Sequence, residues 1–261
     1  MPATTDLLMF SSFTGLLWFV LMLLPLVFFQ RQLHKEIQAS LYLASGRNAA
    51  FTMGVFSFIF FPGVVLHEFS HFVVARLLGV RTHGFSVIPK MMPEGYLRMG
   101  YVSVDQSDIV RDSLIGLAPL VFGNLAVAYI AVNHLELQLL WSLFQEGNFG
   151  LFWMGVSALP SVEDFFVWFY LTFVISGTML PSRSDRHAWL PLGLTVIALF
   201  VLALFAGAGP WMLEHLAPPL NTFLQSVAVL FGLSAFVHGV LIPPMLLIHK
   251  LFARWVDWDV E

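Results

Sequence analysis

The sequence predicts an all-α, polytopic membrane protein with about six transmembrane helices. Of its 261 residues, 58% are hydrophobic and only 11% are charged, whereas soluble domains carry about 25% charged residues. The mean hydropathy is +0.82, and the apolar residues gather in runs long enough to cross the hydrocarbon core of a bilayer. The 27 Phe and 8 Trp fit lipid-facing surfaces and interfacial belts.

Composition also narrows the classes of function. The formal net charge of −4 is too small to indicate a nucleic-acid partner. The chain contains no Cys. Disulfides and thiolate metal ligands are therefore excluded, and any metal site must be built from His and carboxylate side chains. The lipid bilayer is the partner that this composition predicts.

Six apolar runs have the length of a membrane span. The first lacks a basic segment before it and a small-residue cleavage site after it, so we expect a retained helix and not a signal peptide. The fourth is short for a full crossing and abuts Pro181. No repeat or appended soluble domain separates the runs, and 1–261 is predicted to be one membrane domain. The runs are 13–29, 51–78, 113–133, 165–180, 188–208 and 223–249.

The distribution of Lys and Arg predicts an orientation. Six crossings place both termini on one side of the membrane. If that side is the cytoplasm, the inside segments contain nine Lys and Arg residues and the outside segments contain three. The three exceptions, Arg31, Lys35 and Arg47, share one connector. We therefore expect both termini in the cytoplasm, in the cell membrane of a bacterium or archaeon.

Two connectors carry patterns of their own. Residues 80–106 alternate apolar and polar positions and contain several Gly and Pro, which is typical of a β-hairpin-like insert. Non-helical backbone near a bilayer must pack on protein or line a cavity, so we expect a small, membrane-associated insert. Residues 138–156 place Trp, Phe and Leu among scattered polar residues, as an interfacial helix does.

The second run contains His67-Glu68-Phe69-Ser70-His71, an HExxH motif. Histidines four residues apart lie on one face of a helix, where both imidazoles can reach a single zinc ion. The glutamate beside the first histidine can accept a proton from a metal-bound water. Ionisable side chains at membrane depth are costly and mark function. The alternative is a pair of buried histidines that are hydrogen-bonded to neighbouring helices. That alternative gives Glu68 no role.

Two histidines leave a catalytic zinc site one protein ligand short. Among the carboxylates after the motif, Asp185 stands out because it follows the fourth run on the predicted cytoplasmic side. Pro181 would end that helix and turn the chain back. The alternative for Asp185 is an ordinary juxtamembrane ion pair with Arg183 or Arg186. If Asp185 is not the ligand, three candidates remain open: Glu163, Asp164 and His187.

Together these features resemble the site-2 protease family, whose members are intramembrane zinc metalloproteases. The shared features are HExxH in a transmembrane helix, a hairpin-like insert, an Asp that follows a Pro, and the segment 115–124 (IGLAPLVFGN), which is similar to the family's Gly-Pro-Leu-Ala-Asn segment. The resemblance covers about residues 51–187 and implies a three-helix protease core there. Residues 1–50 would add one helix and a connector before it, and 188–261 two helices after it.

In this family the aspartate lies in an Asn-x-x-Pro-x-x-x-x-Asp-Gly pattern and is the third zinc ligand. The resemblance therefore implies that His67, His71 and Asp185 hold one Zn2+ per chain and that Glu68 is the catalytic base. This chain departs from the pattern in three ways: the Pro-to-Asp spacing is one residue shorter, no Asn stands three residues before the Pro, and Arg186 replaces the Gly.

The implied activity is hydrolysis of peptide bonds in transmembrane protein substrates, at a site that opens toward the cytoplasm. Asn124 is expected either to stabilise the developing oxyanion or to bond to a neighbouring helix beside Gly123. The alternatives are a zinc transporter and a pseudoprotease that binds clients without cutting them. A transporter would more naturally place ligands in several spans and show paired repeats. A pseudoprotease typically loses the glutamate, which this chain retains as Glu68.

Overall fold

The computed structural model describes residues 3–91, 97–98 and 100–258. Over these residues the chain is helical apart from two small antiparallel sheets, which confirms the predicted all-α class. The helices are α1 (Ala3–Ala44), α2 (Ala49–Ile59), α3 (Phe61–Leu77), α4 (Ile109–Asn133), α5 (Leu137–Gln145), α6 (Phe149–Ala158), α7 (Phe165–Thr178), α8 (Trp189–Phe205), α9 (Gly209–His215) and α10 (Ala217–Trp258). The strands are β1 (Thr82–Ser86), β2 (Lys90–Met91), β3 (Leu97–Arg98) and β4 (Tyr101–Val104).

Several helices have the length and composition of membrane spans. Three qualify alone, namely Thr14–Ala44 in α1, Ile109–Asn133 in α4 and Ala217–Trp255 in α10. Three pairs of helices qualify together but are bent, by 70° between α2 and α3, by 101° between α6 and α7, and by 116° between α8 and α9. The chain therefore has three to six candidate spans. Each predicted apolar run falls in one of these helices or pairs.

The second predicted run, 51–78, is broken and not one straight helix. The break lies at Phe60, whose side chain is fully buried, and Pro62 stands in the first turn of α3. Proline is favoured in the first turn of a helix, because a backbone N–H there has no hydrogen-bond partner within the helix. The Tyr170 hydroxyl donates a hydrogen bond of 2.7 Å to the carbonyl of Ile59. The break is therefore packed on protein and its exposed carbonyl is satisfied, as an apolar environment requires.

The chain divides into two compact units, the first formed by Met1–Ala44, Gln106–Leu117 and Pro181–Glu261. Its main feature is a pair of long helices, α1 and α10, that pack along each other. Successive contacts along the pair are Gly15 with Asn221, Phe19 with Phe231, and Glu36 with His249. Residue numbers rise together in both helices, so the two helices run parallel. In the six-crossing prediction the first and last spans would run in opposite directions.

The second unit, formed by Ser45–Asp105 and Ala118–Leu180, brings α3 against α7. Gly63 makes this approach close, because a Cβ at that position would overlap the Val174 carbonyl and the Thr178 hydroxyl. The chain then enters the predicted insert, in which β1 pairs antiparallel with β4 and β2 with β3. A bulge lies between Thr82 and Gly84. The predicted hairpin-like insert is therefore confirmed for the described part of 80–106.

The segment 138–156, predicted to be an interfacial helix, consists of two short helices, α5 and α6. Gly147 separates them with a backbone φ of +71°, a conformation that glycine adopts without steric cost.

Candidate metal centre

Helix α3 places the two motif histidines on one face, as their spacing predicts. The Nε2 atoms of His67 and His71 lie 3.2 Å apart, and the two rings meet edge to face at a centroid distance of 4.9 Å. Two zinc–nitrogen bonds of about 2.05 Å across that gap would enclose an angle of about 100° at the ion, close to tetrahedral. The two nitrogens therefore fit one zinc ion without rearrangement.

A hydrogen bond at the other ring nitrogen, Nδ1, orients the ring of His67. Nδ1 of His67 lies 2.7 Å from the carbonyl oxygen of Thr178. A carbonyl can only accept, so Nδ1 carries the hydrogen and donates, and Nε2 keeps its lone pair for a metal. Thr178 is the last residue of α7, and carbonyls in the last turn of a helix lack partners within that helix. This orienting bond is typical of metal-ligating histidines.

The glutamate of the motif lies against the insert. A Cβ added at Gly100, which immediately precedes β4, would fall 2.7 Å from Cγ and 3.0 Å from Oε1 of Glu68. Only a residue without a side chain leaves room for the Glu68 carboxylate in this position. Glu68 is half-buried, so it lies at the edge of the site and not in the sealed core.

Asp185 lies in the turn between α7 and α8, where its own segment fixes the carboxylate. Its Oδ2 accepts a hydrogen bond of 2.7 Å from the backbone N–H of Ser182, and its backbone N–H donates to the Ser182 hydroxyl at 3.3 Å. Gly116 of α4 allows the backbone of Asp185 to approach, since a Cβ there would overlap the Asp185 carbonyl. Asp185 belongs to the first unit, whereas His67 and His71 belong to the second, so the role of Asp185 as third ligand stays a prediction.

Two of the three reserve ligands, Glu163 and Asp164, lie away from the motif histidines. Glu163 and Asp164 immediately precede α7, whereas His67 contacts Thr178 at the other end of that helix. A helix of 14 residues is about 20 Å long, which is too far for a shared ion. His187 has Nε2 3.4 Å from an Asp112 carboxylate oxygen and Nδ1 2.7 Å from the Ser184 carbonyl.

Asn124 makes its hydrogen bond within its own helix. Its Nδ2 donates to the carbonyl of Leu120 at 2.8 Å, and the side chain is buried. Its neighbour Gly123 packs against the Met179 side chain. Small residues at such positions allow helices to pack closely. The oxyanion role of Asn124 stays a prediction.

Sequence patterns single out the ionisable side chains of the motif. They do not identify the Thr178 carbonyl, which orients His67, or Gly100, which leaves room for Glu68. The Thr178 carbonyl belongs to the backbone, and every residue type presents one. Gly100 could be recognised in sequence only as a turn residue of the insert, because its contact with Glu68 depends on tertiary packing. The position of Thr178 just before Pro181, which ends the helix, is the one sequence signal that was available for the first group.

Comparison of the chain with protein-family models, with curated proteins and with solved structures gives no match. Any functional conclusion therefore rests on the residues of this site and on their geometry. Within the second unit, the two converging histidine nitrogens and the half-buried glutamate offer donors of the kind that zinc takes. The same set offers a base next to the position of a bound water.

Proposed function

We propose that the chain is an intramembrane zinc metalloprotease of the site-2 type. In this proposal His67, His71 and Asp185 hold one Zn2+ and Glu68 is the catalytic base. The observation that carries the proposal is the 3.2 Å convergence of the two histidine Nε2 atoms, with His67 locked by the Thr178 carbonyl. Without a metal, the same separation is that of an N–H···N hydrogen bond between the two rings, and zinc content distinguishes the two cases.

The mechanism follows from the residues around the site. Zinc, when bound, supplies a Lewis acid that polarises the scissile carbonyl and acidifies a water molecule. Glu68 would accept a proton from the attacking water at a carboxylate oxygen and would then deliver it to the leaving amine nitrogen, acting first as base and then as acid. Gly100 leaves room for the Glu68 side chain on the side of the insert. The Thr178 carbonyl keeps the His67 ring from rotating.

The proposed substrates are transmembrane segments of other proteins, because the motif lies in an apolar pair of helices. A peptide bond inside a helix is shielded by its own side chains and hydrogen bonds, so the substrate must be unwound before hydrolysis. The β1–β4 hairpin follows α3 directly and offers edge strands on which an extended segment can add. Water reaches the site from the cytoplasmic side of the cell membrane in this proposal.

The proposal is tested by zinc content and cleavage in one set of purified variants. Wild type should carry one zinc per chain, and His67→Ala and Asp185→Ala should lose it. Glu68→Gln should keep the zinc and lose cleavage of a single-span membrane protein, a loss of about 100-fold or more for a general base. The matched controls are His83→Ala in β1 and Glu163→Gln before α7. Zinc that stays bound without any cleavage by wild type would favour a transporter or a pseudoprotease.

A further inference from the structure

The parallel packing of α1 and α10 limits the ways in which the chain can cross the membrane. Two parallel helices that each cross once enter from the same side, so an odd number of crossings must lie between them. Four candidates lie there, namely α4 and the three bent pairs. Since α4 qualifies alone, either one bent pair or all three must return to the side from which they entered.

The distribution of basic residues discriminates among these topologies, because Lys and Arg concentrate on the cytoplasmic side of a membrane protein. If α8–α9 or α6–α7 alone is re-entrant, the best orientation divides the 12 Lys and Arg residues seven to five. If all three pairs are re-entrant, the division is ten to two. If α2–α3 alone is re-entrant, all 12 lie on one side. The segments that face the other side, 1–13, 134–148 and Leu216, contain no Lys or Arg, and neither do the helices α6 and α9.

We infer that the N-terminus lies outside the cell, that α1 runs inward, and that α2–α3 enters and leaves the membrane on the cytoplasmic side. The chain then crosses five times, through α1, α4, α6–α7, α8–α9 and α10. Arg31, Lys35 and Arg47, which were exceptions to the six-crossing orientation, now lie inside with the rest. The inference goes beyond the proposed function, since it requires neither zinc nor proteolysis.

The short first helix and the buried break of the α2–α3 pair are compatible with a re-entrant element. Its bend of 70° is smaller than the bends of the α6–α7 and α8–α9 pairs, so the choice of this pair rests on the distribution of Lys and Arg. Helix α2 has 11 residues, a length of about 16 Å, which is about half of the hydrocarbon core. A break at membrane depth is tolerated only where it is packed on protein, and Phe60 at the break is fully buried. The motif then lies on the limb that returns to the cytoplasm, about 15 Å of helix before α3 ends at Leu77.

Single cysteines test the inference directly, because the natural chain contains none. The informative variants are Thr4→Cys near the start of α1 and Ala44→Cys at its end. Gln145→Cys is an external control and Asp257→Cys an internal control under both topologies. Each variant is treated with a membrane-impermeant maleimide in sealed right-side-out vesicles, before and after permeabilisation.

Labelling of Thr4→Cys before permeabilisation, and of Ala44→Cys only after it, is the expected result. The reverse pattern would restore the six-crossing topology and overturn the inference. Equal labelling of the two positions before permeabilisation would also overturn it, because α1 would then not cross the membrane. The two controls establish that the vesicles are sealed and correctly oriented in every variant.

Discussion

The imidazole of His67 is held by a backbone carbonyl, and this bond determines what its other nitrogen can do. Donation from Nδ1 to the Thr178 oxygen at 2.7 Å leaves Nε2 as the acceptor or metal ligand. The bond depends on the distance between α3 and α7, which is set by the absence of a side chain at Gly63. The tautomer of His67 thus depends on the close packing of α3 against α7 at Gly63.

Substitution of Gly63 by Ala tests this dependence. The added Cβ would overlap the Val174 carbonyl and force α3 away from α7, so the bond from His67 to Thr178 should lengthen. We expect Gly63→Ala to weaken zinc binding about 10- to 100-fold, the usual effect of losing an orienting partner. Competition with a zinc chelator measures the affinity.

Gly54→Ala in α2 is the matched control, because a Cβ there meets nothing within 4 Å. That variant should bind zinc as wild type does, and the helix should gain slightly from Ala. Unchanged zinc affinity in Gly63→Ala would contradict the orienting role of the close approach between α3 and α7.

Gly100 provides a second test at the residue scale. A side chain there would displace the Glu68 carboxylate, and a shift of about 1 Å in a reacting group can cost about 100-fold in rate. We expect Gly100→Ala to lower kcat at least about tenfold while zinc content stays at the wild-type level. Gly84→Ala in β1 is the control, because its nearest neighbour is the edge of the Tyr101 ring at 3.3 Å. Equal kcat in both variants would remove Gly100 from the site.

The sequence predicts that His67, Glu68 and His71 lie together on one helix, and it does not predict the residues that pack against them. HExxH is a local pattern, so helix geometry alone places His67 and His71 together. Asp185 lies 114 residues after His71 in the chain, and it was singled out by the proline before it and by a family resemblance. Gly100 and Gly116 act through close approach, a property that arises only when separate segments pack.

At the scale of elements, hydropathy located the spans and missed their ends and breaks. The helix α1 continues to Ala44, well past the apolar run that ends at residue 29, because polar helix formers extend it without adding hydropathy. Conversely, 51–78 reads as one run, since the bend at Phe60 is made by packing and by Pro62 and leaves the composition apolar. The parallel pairing of α1 and α10 could not be predicted, because hydropathy does not identify neighbours.

The start of α4 carries a pH-dependent cap. Asp108 accepts hydrogen bonds from the backbone N–H groups of Arg111 and Val110, and the bond from Arg111 is the main cause of a pKa below the ordinary 3.8. A lowered carboxyl pKa adds stability above about pH 4, and this stability is lost as the pH falls through the lowered pKa.

Asp108→Ala should therefore lower the thermal midpoint at pH 7, and its difference from wild type should shrink toward pH 3. Asp108→Asn, which keeps a capping oxygen without the charge, is the control and should show a smaller loss at pH 7. Thermal unfolding in detergent at several pH values measures these differences. A difference for Asp108→Ala that stays constant with pH would show that the charge has no part in the cap.

At the scale of the whole molecule, a polytopic membrane chain carries two histidines and a glutamate in one motif within an apolar pair of helices. Charged and polar ligands are costly in that setting, and proteins retain them there for function. The proposed five-crossing topology places all basic residues on the side to which the catalytic site is proposed to open. Topology and chemistry can be tested separately, since labelling does not depend on activity and zinc binding does not depend on the side of the N-terminus.

The central claim is peptide-bond hydrolysis that depends on Glu68 at a zinc site. The most direct measurement is the intact mass of a single-span substrate after incubation with zinc-loaded wild type and zinc-loaded Glu68→Gln in one bilayer preparation. With wild type alone, we expect two fragments whose masses sum to that of the substrate plus one water and whose shared boundary lies within its membrane segment. An uncut substrate with wild type, or equal cleavage by Glu68→Gln, would contradict it.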